Sequence, residues 1–133
     1  MIDRSSRRRL GQNYLTDKSV IYQIVDKINP GKEDNFIEIG PGQGAITGSI
    51  KNSSKNLTLI EIDKENVAYL KSSLNNEIKI FEEDILKIDL NFIKNNDRII
   101  GNLPYNIASQ IILRFLELNK KILDMHFMVQ KEM

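Results

Sequence analysis

Short apolar runs alternate with helix-like patterns along most of the chain. Five runs rich in isoleucine, valine and phenylalanine predict strands that are covered on both faces. They span residues 35–40, 57–63, 78–84, 98–102 and 124–130. The alternation of strands with helices favours an α/β fold with a parallel sheet and right-handed crossovers. Residues 85–97 follow neither period, and we predict a loop with a short helical piece there.

Four amphipathic helices are predicted between the strands. Thr16 or Asp17 can cap the first helix, which ends before Pro30, and the fourth helix begins near Asn106. The second helix follows a glycine-rich loop. We interpret the apolar stripes as core positions; they consist of Val20, Ile21, Ile24, Val25 and Ile28 in the first helix, Val67, Leu70 and Leu74 in the third, and Ile107, Ile111 and Phe115, beside Ala108, Ile112 and Leu116, in the fourth.

Each predicted strand ends in polar residues or in glycine. The endings are Glu38-Ile39-Gly40, Glu61-Ile62-Asp63, Asp84, Asn102 and Gln130. In parallel α/β sheets, ligands bind outside the carboxyl ends of the strands, so we expect a binding site at this edge. His126 and Phe127 lie within the fifth strand, and we assign both to the core.

Composition excludes several classes of site. The chain has 133 residues, enough for one domain, and its 41% hydrophobic and 28% charged residues are typical of a soluble globular protein. The absence of cysteine excludes disulfides, thiolate metal sites and a cysteine nucleophile. No apolar run has the length of a membrane span, which favours a cytoplasmic protein without a membrane partner. The net charge is +1, but Arg4, Arg7, Arg8 and Arg9 form a basic arm that can bind phosphates.

The loop "EIGPGQGA" (38–45) follows the first strand and opens a helix. Glycines at this point permit a tight turn and a close approach of the backbone to a ligand. Glu61 ends the second strand, where its carboxylate can accept both hydroxyls of a ribose. Asp84, after the third strand, can accept a hydrogen bond from an adenine amino group. We expect Glu38 to brace the loop by accepting hydrogen bonds from backbone amides.

The glycine loop is compatible with two kinds of cofactor. Gly40-x-Gly42-x-x-Ala45 fits the loose dinucleotide pattern, whereas Glu38-x-Gly40-x-Gly42-x-Gly44 fits the loop of S-adenosylmethionine-dependent methyltransferases. Both cofactors contain adenosine, so the ribose carboxylate at Glu61 does not distinguish them.

The segment Asn102-Leu103-Pro104-Tyr105 after the fourth strand predicts a catalytic site for an adenine amine. The Asn102 side-chain carbonyl and the backbone carbonyl of Leu103 or Pro104 can accept hydrogen bonds from the two N–H groups of the amine and draw the nitrogen towards tetrahedral geometry. Proline restricts itself and the residue before it, which fixes these carbonyls. Tyr105 offers a flat face on which the base can stack. Hydride transfer does not require two hydrogen-bond acceptors around an amine, so an NAD- or flavin-dependent oxidoreductase is disfavoured.

Six segments together resemble one family. "LGQNYLTD", "EIGPGQGAIT", "IEID", "EED", "GNLPYNIAS" and "DMHFMVQKE" are similar in order and spacing to the ribosomal RNA adenine N6,N6-dimethyltransferases, in particular the bacterial 16S rRNA enzymes. The resemblance implies a Rossmann-like class I methyltransferase fold with strand order 3-2-1-4-5 and S-adenosyl-L-methionine as cofactor. It also implies dimethylation of two adjacent adenosines near the 3′ end of 16S rRNA, with a 30S assembly intermediate as partner and a role in subunit biogenesis. No metal is implied.

The resemblance also implies roles for individual residues. Catalysis would rest on Asn102, Leu103, Pro104 and Tyr105. The cofactor would be bound by Asn13, Leu15, Gly40, Gly42, Glu61, Asp84 and Asn102, and RNA by Arg7, Arg8 and Arg9.

Two regions follow from the resemblance: a basic arm that covers the cofactor (1–16) and a partial catalytic domain (17–133). Family members continue further, so we expect the last strands and a helical C-terminal domain to be missing and the fifth strand to form an open edge. An alternative is a fragment with impaired catalysis that acts only as a cofactor- or RNA-binding module.

Overall fold

The computed structural model describes residues 17–130, which form a five-stranded parallel sheet and its flanking helices. In chain order the elements are α1 (Lys18–Ile28), β1 (Asn35–Ile39), α2 (Thr47–Ser53), β2 (Asn56–Glu61), α3 (Lys64–Ser73), β3 (Lys79–Glu82), a 3-10 helix (Leu90–Phe92), β4 (Arg98–Pro104), α4 (Tyr105–Leu116) and β5 (Asp124–Gln130). The sheet order is β3-β2-β1-β4-β5, which confirms the predicted fold class and order. Within this range, no helix has the length and apolar character needed to cross a membrane.

The sheet separates two apolar clusters because successive side chains of a strand point to opposite faces. In β1, Phe36 belongs to the cluster that contacts α1, α2 and α3, whereas Ile37 and Ile39 belong to the cluster beneath α4. In β4, Ile99 and Ile100 divide between the two clusters in the same way. The central strands are therefore buried on both faces, as their continuous apolar runs predicted.

The helix stripes are only partly buried. The α4 residues Ala108, Ile111 and Phe115 are core residues, but Ile112 is 37% exposed and Leu116 is 70% exposed. In α1, Val20 is 38% exposed. The prediction that all stripe positions are core was wrong at these three residues, because each helix is covered along one face only.

Several strand ends differ from the prediction. β1 stops at Ile39 because Gly40 adopts a left-handed conformation with φ +65°. β2 stops at Glu61, before the predicted residue 63, because Asp63 caps α3 by accepting hydrogen bonds from the amides of its first turn. β3 is confined to Lys79–Glu82, short of the predicted 78–84. β4 continues past the predicted Asn102 to Pro104, where it pairs with β5.

Local signals at the ends of α1 are confirmed. Asp17 is the N-cap, and its Oδ1 accepts a hydrogen bond from the amide of Ser19 at 2.9 Å. The helix ends at Ile28, and Asn29 adopts the left-handed conformation with φ 51° before Pro30.

Arg98 joins four segments at the amino edge of the sheet. It is 7% exposed and forms two 2.9 Å hydrogen bonds to the Asp124 carboxylate and one of 2.8 Å to Asp34. It also donates to the carbonyl oxygens of Ile28 and Asn29, at the end of α1. One buried guanidinium therefore ties α1, the segment before β1, β4 and β5 together.

The assignment of His126 to the core was wrong. Its side chain is 31% exposed, and its Nε2 lies 3.1 Å from Oδ2 of Asp124, so it belongs to the polar group around Arg98. Phe127 is partly buried and packs against the cluster beneath α4, as predicted.

The close approach of β1 and β4 predicts opposite effects for two glycine substitutions. A Cβ at Gly101 would lie 2.9 Å from the Ile39 carbonyl oxygen, whereas a Cβ at Gly48, in α2, would have no atom within 4 Å. We expect Gly101→Ala to lower the free energy of unfolding by about 2 kcal/mol. Gly48→Ala should raise it by about 0.5 kcal/mol, because alanine is the better helix former. Urea denaturation of both variants checks this; equal effects would contradict it.

Candidate functional site

The glycine loop between β1 and α2 is built from left-handed turns. Gly40, Gly42 and Gly44 have φ values of +65°, +61° and +86°, a region that side chains disfavour. The amide of Gly40 donates to the carbonyl oxygen of Ile60 at 2.9 Å, which holds the start of the loop beside β2. The predicted need for glycine at positions 40 and 42 is therefore explained by backbone conformation.

Glu61 fastens the loop to the carboxyl end of β2. Its Oε1 accepts a hydrogen bond from the Gly42 amide at 2.9 Å, and its Oε2 accepts one from the Asp63 amide at 3.0 Å. The residue is only 4% exposed, and burial raises the pKa of its carboxyl group. Each carboxylate oxygen has two lone pairs, so Glu61 can accept further hydrogen bonds, for example from hydroxyl groups.

Glu38 braces the loop differently from the prediction. It accepts a 2.7 Å hydrogen bond from the hydroxyl of Thr47, at the start of α2, instead of from the backbone amides that we expected. The bond spans the whole glycine loop, and both residues are buried. Burial raises the pKa of Glu38 to about 7, a value that includes the lowering effect of the Thr47 hydrogen bond and the raising effect of the nearby Glu61.

The raised pKa of Glu38 predicts a pH-dependent stability. Because the folded-state pKa of about 7 exceeds the ordinary value of 4.5, the stabilising contribution is full below about pH 4.5 and is lost as the pH rises through 7. The free energy of unfolding should fall between pH 5 and 8, and Glu38→Gln should reduce that fall by roughly 2 kcal/mol. Chemical denaturation across this pH range measures both proteins. The exposed Glu77→Gln is the control, and a parallel pH profile for Glu38→Gln would contradict the assignment.

Asp84 lies at the same edge, two residues beyond β3. The amide of Glu83 donates to the Glu61 carbonyl oxygen at 3.2 Å, so the backbone leading to Asp84 is held beside the end of β2. The Asp84 side chain is half-buried, and its Oδ1 accepts a hydrogen bond from the Leu86 amide at 2.9 Å. Glu61 ends β2 and Asp84 follows the neighbouring strand β3, so both carboxylates lie on the same side of the glycine loop.

The segment Asn102–Pro104 lies on the other side of the glycine loop. Pairing between β1 and β4 ends at Ile39 and Gly101, whereas pairing between β4 and β5 continues to Pro104. A Cβ at Gly40 would lie 3.0 Å from Cδ2 of Leu103 and 3.9 Å from the Asn102 carbonyl oxygen. The loop and this segment are therefore in contact, and Asn102 is half-buried beside it.

Tyr105 is the first residue of α4 and is 65% exposed. Leu103, by contrast, is buried in the core cluster, so its side chain has a packing role.

Three residues at this edge were not anticipated from the sequence. Thr47 is the partner of Glu38, and Arg114 contacts the turn that contains Asp84. Ile62 is 62% exposed although it lies between Glu61 and Asp63, which leaves an apolar surface beside the Glu61 carboxylate. An isoleucine between two acidic residues at a strand end was the available signal for Ile62.

The remaining predicted site residues, Asn13, Leu15 and Arg7–Arg9, lie outside the part of the chain that the structure describes. Over residues 17–130, no group of three or more histidine, aspartate or glutamate side chains could hold a metal ion.

This edge defines a class of protein. A glycine loop after β1, a carboxylate after β2, and the sheet order β3-β2-β1-β4-β5 together constitute the fold of class I methyltransferases. The chain belongs to the ribosomal RNA adenine dimethylase family, whose model matches residues 3–133. The predicted family is thereby confirmed.

Similar proteins agree with this assignment. The ribosomal RNA small subunit methyltransferase A of Wigglesworthia glossinidia brevipalpis is 47% identical over 131 residues, which cover 94% of this chain and 50% of that protein. The crystal structure of the 23S rRNA methyltransferase ErmE superposes with a TM-score of 0.71 at 25% identity, covering 82% of this chain and 45% of that one. A dimethyladenosine transferase from Plasmodium falciparum has the same fold, with a TM-score of 0.71 at 21% identity over 83% of this chain and 40% of that one. The chain spans about half the length of the curated relatives it matches.

Proposed function

We propose that the chain contains the catalytic site of an enzyme that transfers methyl groups from S-adenosyl-L-methionine to N6 of adenosines in ribosomal RNA. The observation that carries the proposal is the contact between the glycine loop and the end of β4. This contact supports a site for an adenosine cofactor next to the Asn102–Tyr105 segment, which suits an amine as the group that receives the methyl. Family membership and the names of the curated relatives support the same reaction.

The residues at this edge fit S-adenosylmethionine. Gly40 and Gly42 present loop backbone without side chains to the methionine portion, and Glu61 can accept hydrogen bonds from the ribose hydroxyls. Asp84 can accept from the adenine amino group, and the exposed Ile62 offers an apolar surface to the ring. The carboxylates also give this edge a negative potential that favours a cationic cofactor. The cofactor supplies a methyl group activated by a positively charged sulfur.

The protein's own part in the reaction is positioning. We propose that the Asn102 side-chain carbonyl and a backbone carbonyl of Leu103 or Pro104 accept hydrogen bonds from the two N–H groups of the adenine amine. This draws the nitrogen lone pair out of conjugation and directs it at the methyl group. Tyr105 is exposed and can stack on the base that has been taken out of the RNA. The N–C bond would form as the C–S bond of the sulfonium breaks, and the nitrogen would lose one proton to water after the transfer. Because the leaving group is already activated, orientation contributes much of the rate, and no strong base is required.

The finer assignments rest on the family and on the sequence. We propose as substrate the two adjacent adenosines near the 3′ end of 16S rRNA, presented by a 30S assembly intermediate, which implies a cytoplasmic enzyme with a role in subunit biogenesis. Arg7, Arg8 and Arg9 would contact RNA phosphates. Asn13 and Leu15 would contact the cofactor from the 1–16 arm, and residues 17–133 would form the catalytic part.

Calorimetric titration tests the cofactor assignment. We expect S-adenosylmethionine and S-adenosylhomocysteine to bind and NAD not to bind. Binding of NAD in their place would reject the methyltransferase function in favour of an oxidoreductase.

Methyl transfer tests the reaction itself. Small ribosomal subunits that lack the dimethyladenosines should accept radiolabelled methyl groups from the cofactor when the chain is added. Cofactor binding without any incorporation would instead indicate a binding module without turnover.

A further inference from the structure

Arg114 extends from α4 to the turn that follows β3. Its Nη1 donates a hydrogen bond to the Ile85 carbonyl oxygen at 2.6 Å, and its Nη2 donates another to the Ile88 carbonyl oxygen. Hydrogen bonds from a charged donor are roughly twice as strong as neutral ones. The planar guanidinium also fixes both bonds in one geometry, which a lysine ammonium does not. Arg114 therefore holds this turn at a defined place against α4.

The turn held by Arg114 is folded around Asp84. The Asp84 carbonyl oxygen accepts hydrogen bonds from the amides of Lys87 and Ile88, both at 2.9 Å. Its carboxylate accepts one from the Leu86 amide at 2.9 Å. Because these bonds make residues 84–88 a compact unit, a displacement of Ile85 or Ile88 would move the Asp84 carboxylate with it.

The sheet itself supports this turn only on one side. β3 is a four-residue edge strand whose neighbour is β2, and their pairing ends at Glu61 and Glu82. Beyond that point, Ile85 is buried in the cluster beneath α4 and forms the apolar anchor. An apolar contact resists separation but does not define an orientation well, whereas the two hydrogen bonds of Arg114 do.

We propose that Arg114 is a positioning residue for the adenine end of the cofactor site. The proposal rests on the proposed function, because it takes Asp84 as the acceptor for the adenine amino group. Arg114 acts through residues 84–88 and does not touch the cofactor. It lies on α4, the helix that begins at Tyr105 directly after β4. One rigid helix thus positions both the segment for the target base and the turn for the cofactor adenine.

Cofactor affinity provides the first test. Calorimetry of the 133-residue chain should show that Arg114→Gln binds S-adenosylhomocysteine about tenfold more weakly than the unsubstituted protein, a typical coupling between neighbouring residues. Arg114→Lys, which retains the charge, should lose less. Lys120→Gln is the matched control, since it removes a cationic donor to the Asn91 carbonyl oxygen away from Asp84, and it should leave affinity unchanged. Normal affinity in Arg114→Gln would overturn the proposal.

A double-mutant cycle separates positioning from general loss of structure. If Arg114 acts through Asp84, adding Arg114→Gln to Asp84→Ala should weaken binding little further. Equal losses in both backgrounds would assign Arg114 a merely structural role and overturn the proposal.

Amide hydrogen exchange tests the contact without any ligand. Arg114→Gln should accelerate exchange at Lys87 and Ile88 by at least about tenfold and leave the amides of β1 unchanged. Unchanged exchange at these amides would overturn the proposal even if the variant bound the cofactor poorly. If the unsubstituted chain bound no S-adenosylhomocysteine, the proposed function would be rejected, and exchange would still decide whether Arg114 orders the turn.

Discussion

Replacing Asn102 with alanine is expected to reduce methyl incorporation into ribosomal RNA at least about a hundredfold, while the chain remains folded. The size follows from other enzymes, in which removal of one polar group that stabilises the transition state costs two to three powers of ten. Asn102 is half-buried beside the glycine loop, and its carbonyl is the side-chain acceptor proposed for the amine. Its loss would leave the nitrogen lone pair conjugated with the ring and misaligned with the methyl group.

Incorporation of radiolabel into small subunits that lack the dimethyladenosines measures this effect. Asn76→Ala is the matched control, because it makes the same chemical change at an exposed loop position before β3. Circular dichroism melting should show that both variants remain folded at the assay temperature. A rate in Asn102→Ala equal to that of the unsubstituted chain would remove Asn102 from the mechanism.

Replacing Arg98 with alanine should have the largest effect on stability, lowering the free energy of unfolding by about 3 kcal/mol. Removing one member of a buried ion pair typically costs 3–5 kcal/mol. We expect the lower end because the side chains of Asp34 and Asp124 are 25% and 35% exposed. The variant leaves two carboxylates without their guanidinium, and the carbonyl oxygens at the end of α1 without that donor.

Denaturation in urea checks this value, with Lys79→Ala as a control that removes a cation from an exposed strand position. Adding Asp124→Asn to Arg98→Ala should restore part of the stability, because it removes a carboxylate that has lost its guanidinium partner. A loss below about 1 kcal/mol in Arg98→Ala would show that the network contributes no more than a surface ion pair.

Acid should reduce the difference between Arg98→Ala and the unsubstituted chain. Burial by itself would raise the pKa of Asp124, but hydrogen bonds from Arg98 and His126 outweigh burial and lower it. The stability from this pair is therefore present above the ordinary pKa of 3.8 and is lost as the pH falls through the lowered value. Denaturation curves at pH 7 and at a pH well below 3.8 should show the two proteins converging.

The sequence predicted the elements of the fold better than their ends. Continuous apolar runs identified all five strands because strands of a parallel sheet are buried on both faces. The ends depended on single residues with competing roles. The sequence predicts Asp63 as the polar end of an apolar strand, yet it caps α3. Proline usually ends a strand, yet the pairing of β4 with β5 continues to Pro104.

Segments of the candidate site that are continuous in sequence could be predicted, whereas contacts between residues that are distant in sequence were missed there and elsewhere in the fold. The glycine loop and the Asn102–Tyr105 segment are each continuous in sequence. Their residue types alone therefore predict a turn and a site for an amine. Arg98 joins Asp34 to Asp124, and Arg114 contacts Ile85, through folding that no local pattern encodes. An arginine on an amphipathic helix resembles any solvated cation until the turn beneath it is known.

The pairing of β1 with β4 has a consequence for how the protein folds. Phe36 pairs with Arg98, so joining these two central strands closes a long loop that contains α2, β2, α3 and β3. Contacts between such distant residues form slowly, because the entropy of closing a long loop is lost before they are made. The glycine loop follows β1, and Asn102 follows Gly101, the last residue of β4 that pairs with β1. We therefore expect the proposed cofactor site to form only once this pairing is complete, so that cofactor binding would report the finished sheet.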